Sequence, residues 1–350
     1  MRIYSSEFFY YTVLNVGRVT SWKIIEGKDR EYDTFSIPKR RGGMRRIAGV
    51  KKNSNLAFLQ SRLAANLLDE IPLPAAAVGY IGGKSYKNFL APHVGADYFM
   101  KLDLKDFFPS VTQEMIEEQL EEFVEIADEA QRYEVLEAIS EICTYEGSLP
   151  QGGLVSPVVS NVVMRRLDRR IELYCQKLNL TYTRYVDDLL FSSGGEFGRP
   201  LDFKGNPWLK KRIAGILREG GFRLNERKTK YGSGSISLNG IVVGGSVRFS
   251  RKRLYDIRKI LFLCEDGVKR GGELGDVIVR LQSDTFRCYC PREGRDRQDI
   301  SVRFREYLSG YRCYLMDWCD SDKLELHMDK TDLEHIIRRI EALLVKFDFN

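Results

Sequence analysis

The alternation of apolar and polar positions divides the chain into short strands and longer helical stretches. Residues 32–52 alternate about a Gly42-Gly43 pair and predict a β-hairpin. Leu56, Leu59, Leu63, Leu67 and Leu68 recur at helical spacing, so residues 56–71 are expected to form an amphipathic helix ended by Pro72 and Pro74. A turn-rich loop, Gly79-Tyr80-Ile81-Gly82-Gly83, leads to a short segment at 86–93. An apolar strand ending at Asp103 comes next, then two acidic helices within 112–145. A Gln151-Gly152 loop opens a helix over 156–178, and a second hairpin carries Asp187 and Asp188. Beyond it lie a Gly/Pro loop at 197–207 and a basic helix, Trp208–Glu219. After Ser250 the pattern turns helical, at 251–265, 275–287, 299–318 and Thr331–Phe347, punctuated by Gly267, Gly271, Gly272 and a polar stretch at 291–297. Strands backed by helices, with a helical tail and no internal repeat, predict an α+β protein.

Composition narrows the function classes. A chain of 350 residues can bury a large core and divide into subdomains. No apolar stretch approaches the roughly 18 residues of a membrane span, and no signal peptide opens the chain, so no membrane role and a cytoplasmic location are expected. The seven cysteines are odd in number and scattered, which favours free thiols over a disulfide framework. Cys288, Cys290, Cys313 and Cys319 match no common zinc spacing. The net charge of +6 is modest, but its distribution is uneven. Lys39, Arg40, Arg41, Arg45, Arg46, Lys51 and Lys52 crowd the first hairpin. A second basic group runs from Lys204 to Lys230. Between residues 112 and 141, eleven acidic residues face a single base, Arg132. A polyanion would be drawn to the two basic regions, and the acidic run is expected to be a solvated outer face.

Chemistry concentrates in Tyr182-Thr-Arg-Tyr-Val-Asp-Asp-Leu-Leu-Phe-Ser192. Neighbouring side chains on a strand point to opposite faces, so only a tight turn lets Asp187 and Asp188 act at one place. Two like charges there repel unless cations neutralise them, and hard divalent ions prefer carboxylate oxygens. Upstream, Asp103 ends an apolar strand and is followed by Asp106 and Phe107-Phe108-Pro109. Between these sites lies Leu149-Pro-Gln-Gly-Gly-Leu-Val-Ser-Pro-Val-Val-Ser-Asn161.

In this order and spacing, the strand aspartate, the Leu-Pro-Gln-Gly-x-x-x-Ser-Pro-x-x-x-Asn segment and Tyr-Val-Asp-Asp resemble the palm of a reverse transcriptase. Phe35 to Ile47 is similar to that family's fingers hairpin, and Ser237 to Val243 to its primer-grip turn. The resemblance implies a right-hand polymerase fold with fingers, an antiparallel-sheet palm and a helical thumb. Residues 1–95 would hold the N-terminal segment and fingers. Residues 96–247 would form the palm with its helices at 112–145, and 248–350 the thumb. It further implies a minimal RNA-directed DNA polymerase using two Mg²⁺ ions, with Mn²⁺ as an alternative, and dNTP substrates. Asp103 and Asp187 would bridge the metals, aided by the Leu104 carbonyl, with Asp188 as the supporting carboxylate. Lys39 and Arg45 would clamp the triphosphate, with Arg46 as the competitor of Arg45. Asp106, Phe107 and Phe108 would border the nucleotide, Phe108 as the steric gate beneath its sugar. Gln151 and Gly152 would approach nucleotide and template, Tyr185 the primer end, and Asn239-Gly240 the primer grip. Lys228 would protonate pyrophosphate, with Lys230 equally placed.

Within the family, Ser156-Pro157 and Leu-Asp-Leu-Lys-Asp-Phe-Phe-Pro-Ser resemble bacterial group II-like and retron-type enzymes. That likeness implies a dedicated structured noncoding RNA, a DNA product joined to it (msDNA), and an antiphage-defence setting with an effector protein from the same locus. Two departures from the retron pattern stand out: Ala-Pro before His93, and Leu238-Asn239 ahead of Gly240. A divergent retron enzyme and a non-retron defence enzyme, template-independent or protein-primed, therefore both stay open. So does a catalytically silent RNA-binding scaffold.

Overall fold

In the computed structural model the described residues are 2–39, 42–194, 201–271, 297–320, 326 and 329–347. They divide into two compact units, one of Met1–Pro92 with Asp97–Ser233, the other of His93–Ala96 with Gly234–Asn350. The helix expected at 275–287 and the cysteines at 288 and 290 lie outside the described residues.

The first unit begins with a segment that the sequence pattern left without a role. Ile3 pairs with the chain at Phe123 and Glu125, and Phe9, Tyr10, Val13 and Leu14 enter the main core. Strands β1 (Tyr32–Pro38) and β2 (Met44–Val50) then pair antiparallel in the expected hairpin. Its turn is glycine because both Gly42 and Gly43 have positive φ, 90° and 83°. The predicted leucine helix follows as Asn55–Asn66, capped by the Ser54 side chain, which accepts from the N–H of Ala57.

A four-stranded antiparallel sheet holds the centre of this unit. It comprises β3 (Tyr98–Asp103), β4 (Thr181–Tyr185), β5 (Asp188–Ser193) and β6 (Lys230–Ser233), in the order β4-β5-β3-β6. Alternation decides which residues face what. Met100, Leu102, Leu189 and Phe191 join the core with the helices. Phe99, Lys101 and Asp103 point to the other face, as do Asp188 and Leu190, their register partners on β5. Helix Ser156–Lys177 backs the sheet. Val159, Val163, Leu167, Ile171 and Cys175 form its buried stripe at four-residue spacing, and Pro157 sits in its first turn, where no hydrogen bond is lost. Asn161 and Asp168 are also buried on this helix, two turns apart.

The acidic run is not the purely solvated face its composition suggested. Glu134 accepts hydrogen bonds from Tyr10 at 2.8 Å and Trp22 at 3.2 Å and pairs with Arg18. Glu141 pairs with the buried Lys28, Glu122 with Arg165 and Arg166, and Glu117 accepts from Ser140. Glu134 and Glu141 anchor helix Glu129–Cys143 to basic residues distant in sequence, which a local charge count cannot reveal, and Glu117 ties helix Gln113–Leu120 to it.

The second unit carries a three-stranded meander, β7 (Ile236–Leu238), β8 (Ile241–Val243) and β9 (Val247–Phe249). Helices Arg251–Lys269, Arg297–Cys319 and Thr331–Phe347 accompany it. Asn239 and Gly240 form the β7–β8 turn with φ of 49° and 84°, the left-handed pair that Asn-Gly adopts most readily. Phe249 packs edge-on against Tyr314 and Trp318, and Arg339 reaches Glu265 through two hydrogen bonds of 2.8 and 3.0 Å. No helix among the described residues is long and apolar enough to cross a membrane.

Candidate active site

Strand pairing brings Asp103 and Asp188 together, as register partners at the end of β3 and the start of β5. Asp187 reaches the same place through the turn. Tyr185 pairs with Asp188, so Val186 and Asp187 alone span the hairpin, and the tip lies one residue before the Asp187-Asp188 pair expected there. Val186 adopts φ of 60°, a left-handed conformation rare for a β-branched side chain. The Leu104 N–H donates to the Asp187 carbonyl at 2.9 Å and ties the tip to the end of β3. As a result one oxygen from each of Asp103, Asp187 and Asp188 lies within 4.8 Å of the others, the one such cluster of potential metal ligands among the described residues.

The donors fit a hard divalent cation. Asp103 is 3% exposed and its Oδ2 has no hydrogen-bond partner. An orphaned buried carboxylate oxygen carries its full desolvation cost unless a cation takes it up. Three anionic oxygen donors without nitrogen or sulfur suit Mg²⁺ or Mn²⁺.

Two ammonium groups share the cluster. Lys101, two residues before Asp103 and on the same face of β3, pairs with Asp188 and lies 3.4 Å from Asp103 Oδ1. Lys228 Nζ donates to Asp103 Oδ1 at 3.0 Å. It stands in the turn Glu226–Lys228, next to Asn225, whose N–H donates to the Asp103 carbonyl at 2.7 Å. Lys230, the other lysine left open by the sequence, lies on β6 as the register partner of Lys101. Burial pushes the Asp187 carboxyl up to about 6, and repulsion by Asp188 and Asp103 adds to it. Burial raises Asp188 as well, while Lys101 restrains the rise.

The remaining expected residues are distributed around this cluster and beyond it. Phe107 is buried against Phe222, ring centres 5.6 Å apart, whereas Phe108 is only half-buried and opens the turn Phe108–Ser110. Asp106 is exposed, with φ of 47°, and its carbonyl accepts from the Ser110 hydroxyl at 2.9 Å. The Gln151 carbonyl accepts from the Ala48 N–H at 2.9 Å, and Gly152 has φ of 106° where a Cβ would meet Ile47 Cγ2 at 2.9 Å. That loop is thereby fastened to β2. Arg46 forms two hydrogen bonds with Glu146, at 2.6 and 2.8 Å, and lies over the Tyr145 ring. Lys39 and Arg45 are exposed on the hairpin. Tyr185 packs edge-on against Tyr86, 5.1 Å between ring centres. Asn239 and Gly240 belong to the second unit, where Arg253 donates to the Asn239 carbonyl at 3.0 Å.

Sequence reasoning passed over Lys101, Arg184, Asp168 and Tyr80. Lys101 carried a signal, a lysine at i−2 from Asp103 in an otherwise apolar strand. Tyr80 is exposed with φ of 58°, and Asp187 and Tyr185 both raise its phenol above the usual range, after burial as the first cause. Nothing local marked Asp168, whose partners come from another element.

The raised Asp187 carboxyl has a stability consequence in metal-free protein. The folded state holds its proton more tightly than the unfolded chain does, so this group's contribution to stability falls as pH rises from about 4 to about 6. Asp187→Asn is expected to melt above wild type in EDTA at about pH 7.5 and level with it near pH 4, by differential scanning fluorimetry. Excess Mg²⁺ should close the gap at the higher pH; a gap independent of pH and metal would contradict the assignment.

The retron Mx65 reverse transcriptase of Myxococcus xanthus is 32% identical over 270 residues, covering 71% of this chain and 60% of that protein. The retron Ec86 reverse transcriptase of Escherichia coli is 30% identical over 170 residues, covering 49% and 51%. The chain thus spans between about half and three-fifths of the length of these relatives. Among solved structures, telomerase from Candida albicans overlaps 90% of this chain and 63% of its own, at 14% identity and a TM-score of 0.43. Residues 37–253, from within the β1–β2 hairpin through all three aspartates to the first turn of the helix after β9, match one family, and by that match the chain belongs to the reverse transcriptases (RNA-dependent DNA polymerases).

Proposed function

We propose that this chain copies RNA into DNA, extending a primer with dNTPs on a structured noncoding RNA, within a bacterial retron or a related antiphage-defence system. The observation that carries the reading is the carboxylate cluster with its orphaned Asp103 oxygen at the β3–β5 junction. Two Mg²⁺ ions, or Mn²⁺ in their place, would make the primer hydroxyl nucleophilic and neutralise charge on the departing pyrophosphate. Asp103 and Asp187 hold them in this reading, with the Leu104 carbonyl on the triphosphate side and Asp188 in support. The exposed Lys39 and Arg45 suit a triphosphate whose charge grows in the transition state. The bidentate tie of Arg46 to Glu146 favours Arg45 over Arg46 in that role. Lys228 holds a proton at Nζ beside Asp103, where pyrophosphate would leave. The half-buried Phe108, braced by the core ring of Phe107, is the candidate gate against a ribose 2′-hydroxyl. Tyr185 would meet the primer end and Asn239-Gly240 the primer strand. A silent RNA-binding scaffold is disfavoured, because clustered negative charge repels the polyanion it would bind.

The curated relatives are named as retron reverse transcriptases, and that likeness supports an RNA from the same locus as template and partner, with an effector protein beyond it. Helix Arg251–Lys269 supplies a surface for it: Tyr255 and Phe262, 63% and 61% exposed, stand among Arg251, Lys252 and Lys259. Stacking on such rings with phosphate contacts beside them suits RNA. Phe304 is buried in the unit's own core and is no part of that surface.

Three outcomes test the proposal. Purified protein should extend a DNA or RNA primer on an RNA template only with Mg²⁺ or Mn²⁺, and Asp187→Asn should lower incorporation by at least about a thousandfold while the protein stays folded. Template-independent extension would instead favour the other polymerase reading. Phe108→Ala should raise GTP incorporation relative to dGTP, measured by single-nucleotide extension; an unchanged ratio in an active variant would make Phe108 a packing residue. RNA crosslinked to the protein in its host should be dominated by one noncoding transcript from its own locus, and a transcriptome-wide distribution would overturn the dedicated partner.

A further inference from the structure

Beneath the catalytic turn lies a polar network that takes no part in the reaction just described. Arg184 on β4 and Asp168 on helix Ser156–Lys177 form an ion pair in which both side chains are 0% exposed. The guanidinium donates to the two Asp168 oxygens through Nε, at 2.9 Å each, and through Nη2 at 2.7 Å. Tyr182 donates to the same carboxylate at 2.8 Å. Two further guanidinium bonds leave the pair. Nη1 donates to the Val186 carbonyl at 3.0 Å, and Nη2 to Asn161 Oδ1 at 3.0 Å. Asn161 Nδ2 in turn donates to the Gly79 carbonyl at 2.8 Å.

These contacts converge on one peptide. Val186 precedes Asp187 and holds a left-handed φ that its β-branched side chain disfavours, so something outside the turn must keep it there. Arg184 holds its carbonyl from below. Gly79 closes on it from the side, where a Cβ would lie 2.8 Å from the Val186 nitrogen and 3.0 Å from its Cγ2. Backbone bonds from Val78 N–H to the Arg184 carbonyl and from Arg184 N–H to the Ala76 carbonyl, 2.9 and 2.7 Å, run the two segments side by side.

We propose that Arg184, locked by Asp168 and Asn161, is the positioning residue for Asp187, and that through Asn161 and Gly79 it couples the Gly79–Tyr80 loop to the metal-binding carboxylates. The proposal rests on the reading of Asp187 as a metal ligand. A planar guanidinium can serve two carboxylate oxygens, an amide and a peptide carbonyl together because its five donors are fixed in one plane; a lysine ammonium cannot reach all of them. Partners standing behind metal ligands typically control metal affinity by about 10- to 100-fold. The buried pair makes truncation a poor test, since removing one partner strands a charge in the core. Two milder variants avoid this. Arg184→Lys keeps the charge and loses the fork. Gly79→Ala keeps the carbonyl that Asn161 binds and leaves Arg184, Asp168 and Asn161 unchanged, and Gly79 does not occupy the left-handed region, so its added methyl acts on the Tyr185–Val186 backbone and the Val186 side chain.

The experiment is Mn²⁺ binding to the full chain, followed by electron paramagnetic resonance of the free ion, beside melting curves and primer-extension kinetics. Asp187→Asn marks the loss of the site. Arg184→Lys and Gly79→Ala are each expected to weaken Mn²⁺ binding by about tenfold or more and to lower kcat with little change in KM for primer–template. Raised Mn²⁺ should recover part of the lost rate. Folded variants that bind Mn²⁺ within about threefold of wild type would overturn the proposal and leave the network as core packing; if Arg184→Lys does not fold, Gly79→Ala decides. Should wild type bind Mn²⁺ through Asp187 yet make no DNA, the polymerase reading fails and the positioning proposal is still judged by Mn²⁺ affinity.

Discussion

Mutual repulsion among three clustered carboxylates, one buried and two half-buried, is the constraint around which the first unit is built. With oxygens within 4.8 Å of one another, each ionised pair opposes the fold by roughly 3 kcal/mol at an effective dielectric of about 20. Each such pair outweighs the net worth of a typical backbone hydrogen bond, about 1 kcal/mol, and so sets a large opposing term against the pairing of β3 with β5. Compensation comes from three directions. Lys101 meets Asp188 within the sheet, Lys228 meets Asp103 from the turn after the basic helix, and the raised Asp187 carboxyl retains its proton more readily. A pair of divalent cations would relieve the same repulsion more completely, which is the sense in which the site fits them.

A charge-bearing turn also has to be kept in place. The hairpin tip is two residues long, one of them a valine in a conformation it disfavours, and a strained turn relaxes unless its surroundings over-determine it. Arg184 on β4, locked by Asp168 and Asn161 of one helix, supplies a fixed hydrogen bond, and the bare Cα of Gly79 supplies close contact from a loop. A buried ion pair of this kind is weak evidence for stability, because its desolvation cost offsets much of its attraction. Its geometry, with every guanidinium edge directed at a specific acceptor, is better explained by placement than by stability.

Much of this was legible in the chain. The antiparallel hairpins, the leucine helix and the long helix after Ser156 follow from alternation, helical spacing and turn chemistry, which are local, while the Asn239-Gly240 turn was legible through the family resemblance. The three aspartates were legible too, because a carboxylate at the end of an apolar strand and a pair of them in a short hairpin leave few structural explanations. The acidic helices were legible only in part, for the converse reason: their carboxylates are exposed or half-exposed as expected, but several are paired. Their carboxylates answer Arg18, Lys28, Arg165 and Arg166, which stand as far as 116 residues away, and no window of sequence contains both partners.

The sequence by itself determined most of the elements after residue 30, the family and the candidate carboxylates, since these depend on residue types at short, regular spacing. Only the tertiary structure decided which cations meet those carboxylates, that Arg46 is tied to Glu146 while Arg45 is exposed, that Phe107 is the core ring and Phe108 the half-buried one, and that Asp168 lies under Arg184. Each of these is set by how segments distant in the sequence seat against one another, as with the register of β3 on β5 and the pairing of Arg46 on β2 with Glu146. Such contacts arise from packing between distant segments, and burial, which fixes the strength of every charge interaction here, exists only once those segments have come together.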